Sequence, residues 1–342
     1  MFQKVLVSGS AGFIGGYVVG ELLRRGYAVT GIDDLSKYGR VMQSYDGHPG
    51  YAFVQGDARD AGLMTSLLAG CDHFIAGAAL IGGISYFHAY AYDLLAANER
   101  IIASSCDAAL AARRGGRLRK VTYLSSSMVF ESAAGWPSRE GQQLEVPPPQ
   151  SSYGFQKLAV EYFARAAWEQ YQLPYTIVRP FNCVGIGEAR ALANTEITSG
   201  NIKLAMSHVV PDLVQKVLKG QDPLHILGSG EQVRHYTYGG DLAAGIVTAM
   251  EHPDAVNDDF NLSASAGTTV RELAAVIWRK IKGPDAPLRI VHDDPYEYDV
   301  QRRVPSTDKA RRILGFEAAT SLEEMLDEVI PWIRRAVEEG RI

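Results

Sequence analysis

Tyr153-Gly154-Phe155-Gln156-Lys157 holds a phenol and an ammonium in a Y-x-x-x-K spacing, which sets both side chains on one face of a helix, a turn apart. A tyrosine titrates near ~10 and is a poor base at neutral pH until a nearby cation stabilises its phenolate. Lys157 supplies that cation, so the pair predicts removal of a proton from a hydroxyl group. Alone, such a spacing is most often structural. Here it follows a serine-rich run, Leu124-Ser125-Ser126-Ser127-Met128-Val129-Phe130. That run is expected to end a strand and to meet the tyrosine helix at the carboxyl edge of a parallel sheet, where open α/β folds bind ligands.

A second constellation lies near the N-terminus. Gly9-Ser10-Ala11-Gly12-Phe13-Ile14-Gly15 has the spacing G-x-x-G-x-x-G between a strand and a helix. Glycines there let the backbone turn tightly and approach a pyrophosphate, whose charge is met by amides at the helix N-terminus. Gly9, Ala11, Gly12, Phe13, Ile14 and Gly15 are therefore candidate dinucleotide-binding residues. Asp33 closes the second strand, where a carboxylate accepts hydrogen bonds from ribose hydroxyls and repels a 2′-phosphate, which predicts NAD over NADP. Its neighbour Asp34 is placed to share that role. Asp57, just after the third strand, stands either beside the adenine amino group or as the N-cap of the next helix.

The elements that must position these groups read as successive βαβ units. Strands are expected at Val5–Val7, Ala28–Ile32, Tyr51–Gln55, His73–Ile75, Val121–Leu124 and Tyr175–Val178, with helices at Gly12–Arg25, Asn98–Arg113, Tyr153–Tyr171, Thr269–Ile281 and Ser321–Glu338. The fold class is α/β, a Rossmann-type doubly wound parallel sheet with a smaller C-terminal α/β substrate lobe. Residues 1–180 form the NAD-binding domain, to which a strand and helix from about 233–262 return, and residues 181–342 form mainly the lobe. Gly135–Pro149, with four prolines, reads as a surface loop. By analogy with the fold class, the two long helices are expected to pair across a homodimer axis.

Composition narrows the class. The 342 residues carry a net charge of −5 and no dense basic stripe, which argues against nucleic acid as a partner. No window approaches the roughly 18 apolar residues of a membrane span, and the N-terminus reaches Gly9 too early for a secretory leader, so a cytoplasmic, soluble enzyme is expected. Cys71, Cys106 and Cys183 lack metal-site or disulfide spacing and are expected as buried thiols, with no metal site.

With these motifs in view, the chain resembles the extended short-chain dehydrogenase/reductase family, in its nucleotide-sugar epimerase and dehydratase branch. The resemblance implies Ser126, Tyr153 and Lys157 as the catalytic set. It places Ala78, in the loop Gly77–Ser85, and Asn98, on the following helix, near the cofactor, with Ser127 beside the substrate. Arg179-Pro180-Phe181-Asn182-Cys183-Val184-Gly185 is similar to the family's R-x-F-N-x-x-G entry into the lobe, where Asn182 approaches the sugar diphosphate. Gly228–Tyr236 is similar to its G-x-G-x-x-x-R-D-[FY] segment, with His235 where Asp is usual. Arg234 would hold the diphosphate, with Arg302 or Arg303 as a second cation, because the arginine fork binds two phosphate oxygens at once. Ser207–Pro211 resembles the uracil-proximal stretch of UDP-sugar 4-epimerases, which puts Val209 at the nucleobase and favours a UDP-sugar.

The resemblance also separates reactions. Two residues after the catalytic serine, dehydratases and decarboxylases carry Glu, whereas this chain has Met128. A thioether neither gives nor takes a proton, so the expected activity is NAD-dependent inversion at C4 of a UDP-hexose or UDP-hexuronate through a transient 4-keto sugar. A C3/C5 epimerase stays open because Gly82-Gly83 is similar to the corresponding segment of GDP-mannose 3,5-epimerases, although Cys183 and Lys203 cannot be placed near C3 or C5. A 4-ketoreductase, a dehydratase or decarboxylase, and an inactive NAD-sensing protein complete the alternatives.

Overall fold

The computed structural model describes residues 3–81, 90–188, 197–199, 202–204, 208–294 and 300–342. Its β-branched runs form a central sheet from β1 (Lys4–Ser8), β2 (Ala28–Asp33), β3 (Tyr51–Gln55), β4 (His73–Ala76), β5 (Lys120–Leu124), β6 (Tyr175–Pro180) and β7 (Asp258–Leu262). All seven strands run parallel, in the order β7-β6-β5-β4-β1-β2-β3. The order reverses at β1, which lies between β2 and β4 and so opens a crevice at the carboxyl edge. Register pairs Ser8 with both Ile32 and Ala76, and Ala76 with Tyr123. The turn at Gly9, the carboxylate of Asp33 and the serine run after Leu124 therefore leave the sheet at similar heights.

The helices are α1 (Phe13–Arg24), α2 (Ala61–Leu68), α3 (Ala91–Arg114), α4 (Ser152–Tyr171), α5 (Val209–Leu218), α6 (Gly239–Glu251), α7 (Val270–Lys282) and α8 (Leu322–Glu338). One sheet face is covered by α1 and α6, through Val18, Leu22, Ile246 and Met250. The other is covered by α2, α3 and α4, where Ala108, Ala109 and Ala112 of α3 pack with Val160, Ala164 and Ala167 of α4. Small residues let those two helices approach closely. Burial on both faces explains why the strands read as continuous apolar runs. Strand β7 and helix α6 join this sheet although they follow α5 in sequence, and Ala310, Leu314 and Phe316 pack onto its α1/α6 face as well.

The lobe has its own core, in which α5, α7 and α8 pack around the parallel pair Leu224–Leu227 and Ile290–Asp293. Capping boxes start α7, at Thr269 and Glu272, and α8, at Ser321 and Glu324. Among the described residues no helix is long and apolar enough to cross a membrane.

Two sequence expectations need correction. Helix α3 begins at Ala91 rather than Asn98. Gly135–Pro149 is not a plain surface loop, since Ser138 and Gln143 are buried. Its backbone bonds the segment before Lys309, where Ser138 N donates to Val304 O at 2.8 Å and Ser306 N to Ser138 O at 2.8 Å.

That loop leads to a charge network with a fully buried centre. Glu161 on α4 and Arg179 on β6 are both wholly enclosed, with Arg179 Nε donating to Glu161 Oε1 at 2.7 Å and Nη2 to Oε2 at 2.8 Å. Ser125 Oγ donates to Glu161 Oε1 at 2.7 Å, and Gln143 Nε2 to Oε2 at 3.1 Å. Arg179 also donates to Asp259 on β7, and Lys309 pairs with the same carboxylate. Replacing Glu161 with Leu leaves a buried guanidinium short of its main partner. The variant is expected to lose roughly 3–5 kcal/mol of stability, read as a lower urea midpoint; a loss below about 1 kcal/mol would show that the pair behaves like a surface bridge.

Candidate active site

The crevice at the carboxyl edge continues into the lobe as one cleft of about 660 Å³. Its floor is the glycine turn. Gly9 sits at φ +75°, and a Cβ there would lie 2.9 Å from Ala78 Cα. A Cβ on Gly15 would lie 2.0 Å from Gly9 O. Neither position tolerates a side chain, so bare backbone faces the cleft at the start of α1, as a bound pyrophosphate requires. Ala11, Gly12, Phe13 and Ile14 line the same wall. Asp33 is half-buried, its Oδ2 accepting from Ala11 N at 3.1 Å and its Oδ1 from Leu35 N at 2.8 Å. Burial pushes its carboxyl up, and these amides oppose the shift. Turn and carboxylate together fit a dinucleotide.

The other acids of this wall differ. Asp34 is exposed and accepts from Ser36 N at 2.9 Å. Asp57 lines the cleft but is clamped by Arg59 at 2.6 Å, while the cap of α2 is Asp60, which accepts from Leu63 N at 2.9 Å. Ala78 also lines the cleft, its amide donating to Ser8 Oγ at 3.2 Å. Asn98 requires correction as a cofactor-binding residue. It is buried off the cleft wall, its Oδ1 accepting from Leu80 N at 2.7 Å and its Nδ2 donating to Leu80 O at 2.9 Å. It pins the loop backbone through both ends of its amide.

Strand β5 and helix α4 bring the proposed catalytic groups together on the cleft. Ser126 caps the short turn Ser127–Phe130, Oγ accepting from Met128 N at 3.2 Å, and its hydroxyl also bonds the Tyr153 phenol. Lys157 Nζ donates to Leu124 O at 3.0 Å and lies 5.9 Å from the Tyr153 ring centre. Burial lowers this lysine to about 8, so it keeps its proton at neutral pH. Burial pushes the Tyr153 phenol up, whereas the Ser126 bond and the Arg303 guanidinium pull it down. Met128 is buried beside Tyr153, Leu94 and Ile81, so the position expected to hold a second acid is apolar.

On the lobe side Ser127, Asn182, Val209, Arg234 and Arg303 all line the cleft. Asn182 adopts φ +34° at the strand exit, and Thr237 N donates to its carbonyl at 3.1 Å. Arg302 is the second correction: it is exposed, its guanidinium lies 5.7 Å from the Trp136 ring centre, and it is absent from the cleft wall. Arg303 is the cation that enters. His235 also faces away, its Nδ1 paired with Ala264 O at 3.0 Å. Cys71 and Cys106 are buried free thiols, while Cys183 lines the cleft with its thiol pushed well up by burial. Gly82–Ser85 and the Lys203 side chain lie outside the described residues.

Sequence reasoning passed over Lys37, Glu188, His208, Asp212, Lys216 and Tyr236, which all line the cleft. Glu188 pairs with His208 Nδ1 at 2.8 Å, and Lys216 with Asp212 at 3.1 Å. The second pair has the i,i+4 spacing of an ordinary surface bridge, so its inward direction has no signal in the sequence. Tyr236 and His208 were findable, because they lie in the segments containing Arg234 and Val209.

With this geometry in place, comparison with known proteins is informative. The chain is 26% identical to the UDP-glucose 4-epimerase of Halalkalibacterium halodurans, over 96% of this chain and 95% of that protein. It is 25% identical to UDP-glucuronic acid decarboxylase 1 of Xenopus tropicalis, over 98% of this chain and 73% of that one. The structure of the UDP-glucose 4-epimerase of Thermotoga maritima with UDP-glucose superposes with a TM-score of 0.80 at 26% identity, covering 98% of this chain and all of that one. The NAD dependent epimerase/dehydratase family matches residues 5–263, from the first strand through the last strand of the sheet, and the chain belongs to that family.

Proposed function

We propose that this protein is an NAD-dependent nucleotide-sugar epimerase that inverts C4 of a UDP-hexose or UDP-hexuronate. The observation that carries this reading is the pairing of Ser126, Tyr153 and Lys157 on one cleft with an apolar Met128 beside them. When bound, NAD supplies a reversible hydride acceptor. Tyr153 takes the proton of the sugar 4-hydroxyl, held by the Ser126 hydroxyl and supported by the charges of Lys157 and Arg303. The substrate becomes a 4-keto sugar, turns over in the pocket, and receives its proton back from Tyr153 on completion of the inverted alcohol. Arg234 and Arg303 grip the diphosphate while the sugar turns. Asn182 orients the linkage, and the wall from Gly9 to Asp33 holds the dinucleotide.

Dehydration or decarboxylation needs an acid/base beside the ring carbon next to C4. Met128 removes it, and the raised Cys183 thiol is a poor substitute for C3/C5 chemistry. We also assign a homodimer formed through α3 and α4, supported by exposed Tyr92 on α3 and by Phe155 and Tyr162, seven residues apart on one face of α4.

Proton NMR of UDP-glucose, UDP-glucuronate and UDP-N-acetylglucosamine, each incubated with the purified protein without added cofactor, is expected to show a C4 epimer of one of them, with no CO2 or water lost. Loss of CO2 or water would overturn the assignment of Met128. Tyr153→Phe should lower kcat by roughly a hundredfold to ten-thousandfold while leaving the NAD content unchanged; near-normal turnover would exclude Tyr153 as the base. Phe155→Glu with Tyr162→Glu should convert a dimer to a monomer by light scattering, and an unchanged mass would place any interface elsewhere.

A further inference from the structure

Glu131 follows the short turn Ser127–Phe130 and reaches the start of α4, the helix that carries Tyr153. Its Oε2 accepts from Ser151 N at 3.1 Å and from Ser151 Oγ at 2.8 Å. Ser151 is itself the N-cap of α4, its Oγ accepting from Gly154 N at 3.0 Å. Helix α4 has no acidic residue in its own first turn, so the carboxylate at the positive end of its dipole comes from the neighbouring turn. A third contact lies between these ends. A Cβ on Gly154 would fall 2.9 Å from both Met128 O and Glu131 Oε2, and 2.6 Å from Pro149 Cβ. Only a bare α-carbon lets the turn lie this close to the helix. The segment from Ser126 to Glu131 is thus fastened to α4 twice, by the Ser126 hydroxyl on the Tyr153 phenol and by Glu131 on Ser151. Glu131 itself is absent from the cleft wall, where Ser126 and Tyr153 stand.

Accepting that Tyr153 is the base of a C4 epimerase, we infer that Glu131 is a positioning residue for that step: its bonds to Ser151 hold the turn so that the Ser126 hydroxyl stays on the phenol. Covalent connection does not do this. Between Glu131 and Ser151 the chain runs out through Gly135–Pro149 and back, which leaves the distance of the turn from the helix open. A displacement of about 1 Å is enough to break a hydroxyl–phenol bond. Against it stand two bonds to one carboxylate oxygen, each roughly twice as strong as a neutral one. Helix capping makes a different demand, since it needs Ser151 Oγ on Gly154 N and is indifferent to where Ser126 lies.

The test is steady-state kinetics of variants of the NAD-containing protein, on the UDP-sugar that the NMR experiment shows it to epimerise. Glu131→Ala should lower kcat by about tenfold to a hundredfold, with KM and NAD content near those of the unaltered protein. Glu131→Gln, whose amide oxygen can accept the same two bonds, should recover most of that loss. A Ser126→Ala background separates positioning from plain stability: there Glu131→Ala should change kcat by less than about twofold, because the bond it protects is already gone. Gly154→Ala covers the case in which Glu131→Ala folds poorly. It raises the helix propensity of α4 yet pushes the turn away, so kcat should again fall by about tenfold or more. Equal losses from Glu131→Ala with and without Ser126, no recovery in Glu131→Gln, or full activity in Gly154→Ala would each overturn the inference and leave the epimerase reading standing. Turnover that survives Tyr153→Phe would instead sink the base assignment, and the role of Glu131 with it.

Discussion

The contact on which the site depends is the enclosed pair of Glu161 and Arg179. Glu161 stands on α4 one turn beyond Lys157, and the same carboxylate accepts from Ser125, the neighbour of Ser126. The two elements that carry the proposed catalytic groups are thereby clamped to one charge. Arg179 extends the clamp to β6 and, through Asp259 and Lys309, to the far edge of the sheet and the segment after Arg303. A charge pair with no exposure must satisfy its lone pairs and protons internally or it destabilises the fold, and this one gathers donors from the loop, the strand and both ends of the network. Such a cluster tolerates few alternative packings. On the proposed mechanism its contribution is positional, because Tyr153 and Ser126 must stay within one hydrogen bond of each other for the phenol to act.

The opposite wall is set by sterics instead of charge. Gly9 and Gly15 leave no room for a Cβ because the turn closes against Ala78 and against its own carbonyl. The loop bearing Ala78 is in turn held by Asn98, whose amide spans both polar atoms of Leu80. A residue that resembled a ligand-binding group thus acts through the backbone it braces. The dinucleotide wall and the catalytic wall are built on neighbouring strands, so the sheet register alone brings them face to face.

Much of this was legible in the sequence wherever the signal was local. Strand, turn and helix around Gly9 follow each other without a gap, and the Y-x-x-x-K helix announces its own face. Strand β3 was placed at Tyr51–Gln55, where the structure also has it. What escaped depends on contacts between distant segments. Arg302 and Arg303 are adjacent and chemically identical, and contacts with Trp136 and Val233, both distant in sequence, set which one enters the cleft. Gly135–Pro149 looked like solvent-exposed loop because its partners, Val304 and Asn261, lie more than a hundred residues away. Asp57 and Asp60 compete for the same cap over three residues, and the backbone settled on the latter.

The distribution of chemistry around the cleft bears on why an apolar residue stands at Met128. Inversion through a ketone requires that the sugar be held weakly enough to turn while its diphosphate is held firmly, since a ring fixed by many polar contacts returns hydride to the face it left. Arg234 and Arg303 line the cleft, and apolar side chains pack beside Tyr153. Met128, Leu94 and Ile81 surround the phenol with side chains that offer volume without direction. On the proposed reading, a carboxylate in place of Met128 would add a proton acceptor to this wall, whereas a thioether adds none. The reaction of the proposed epimerase is then selected by what this wall omits beside Ser126, Tyr153 and Lys157.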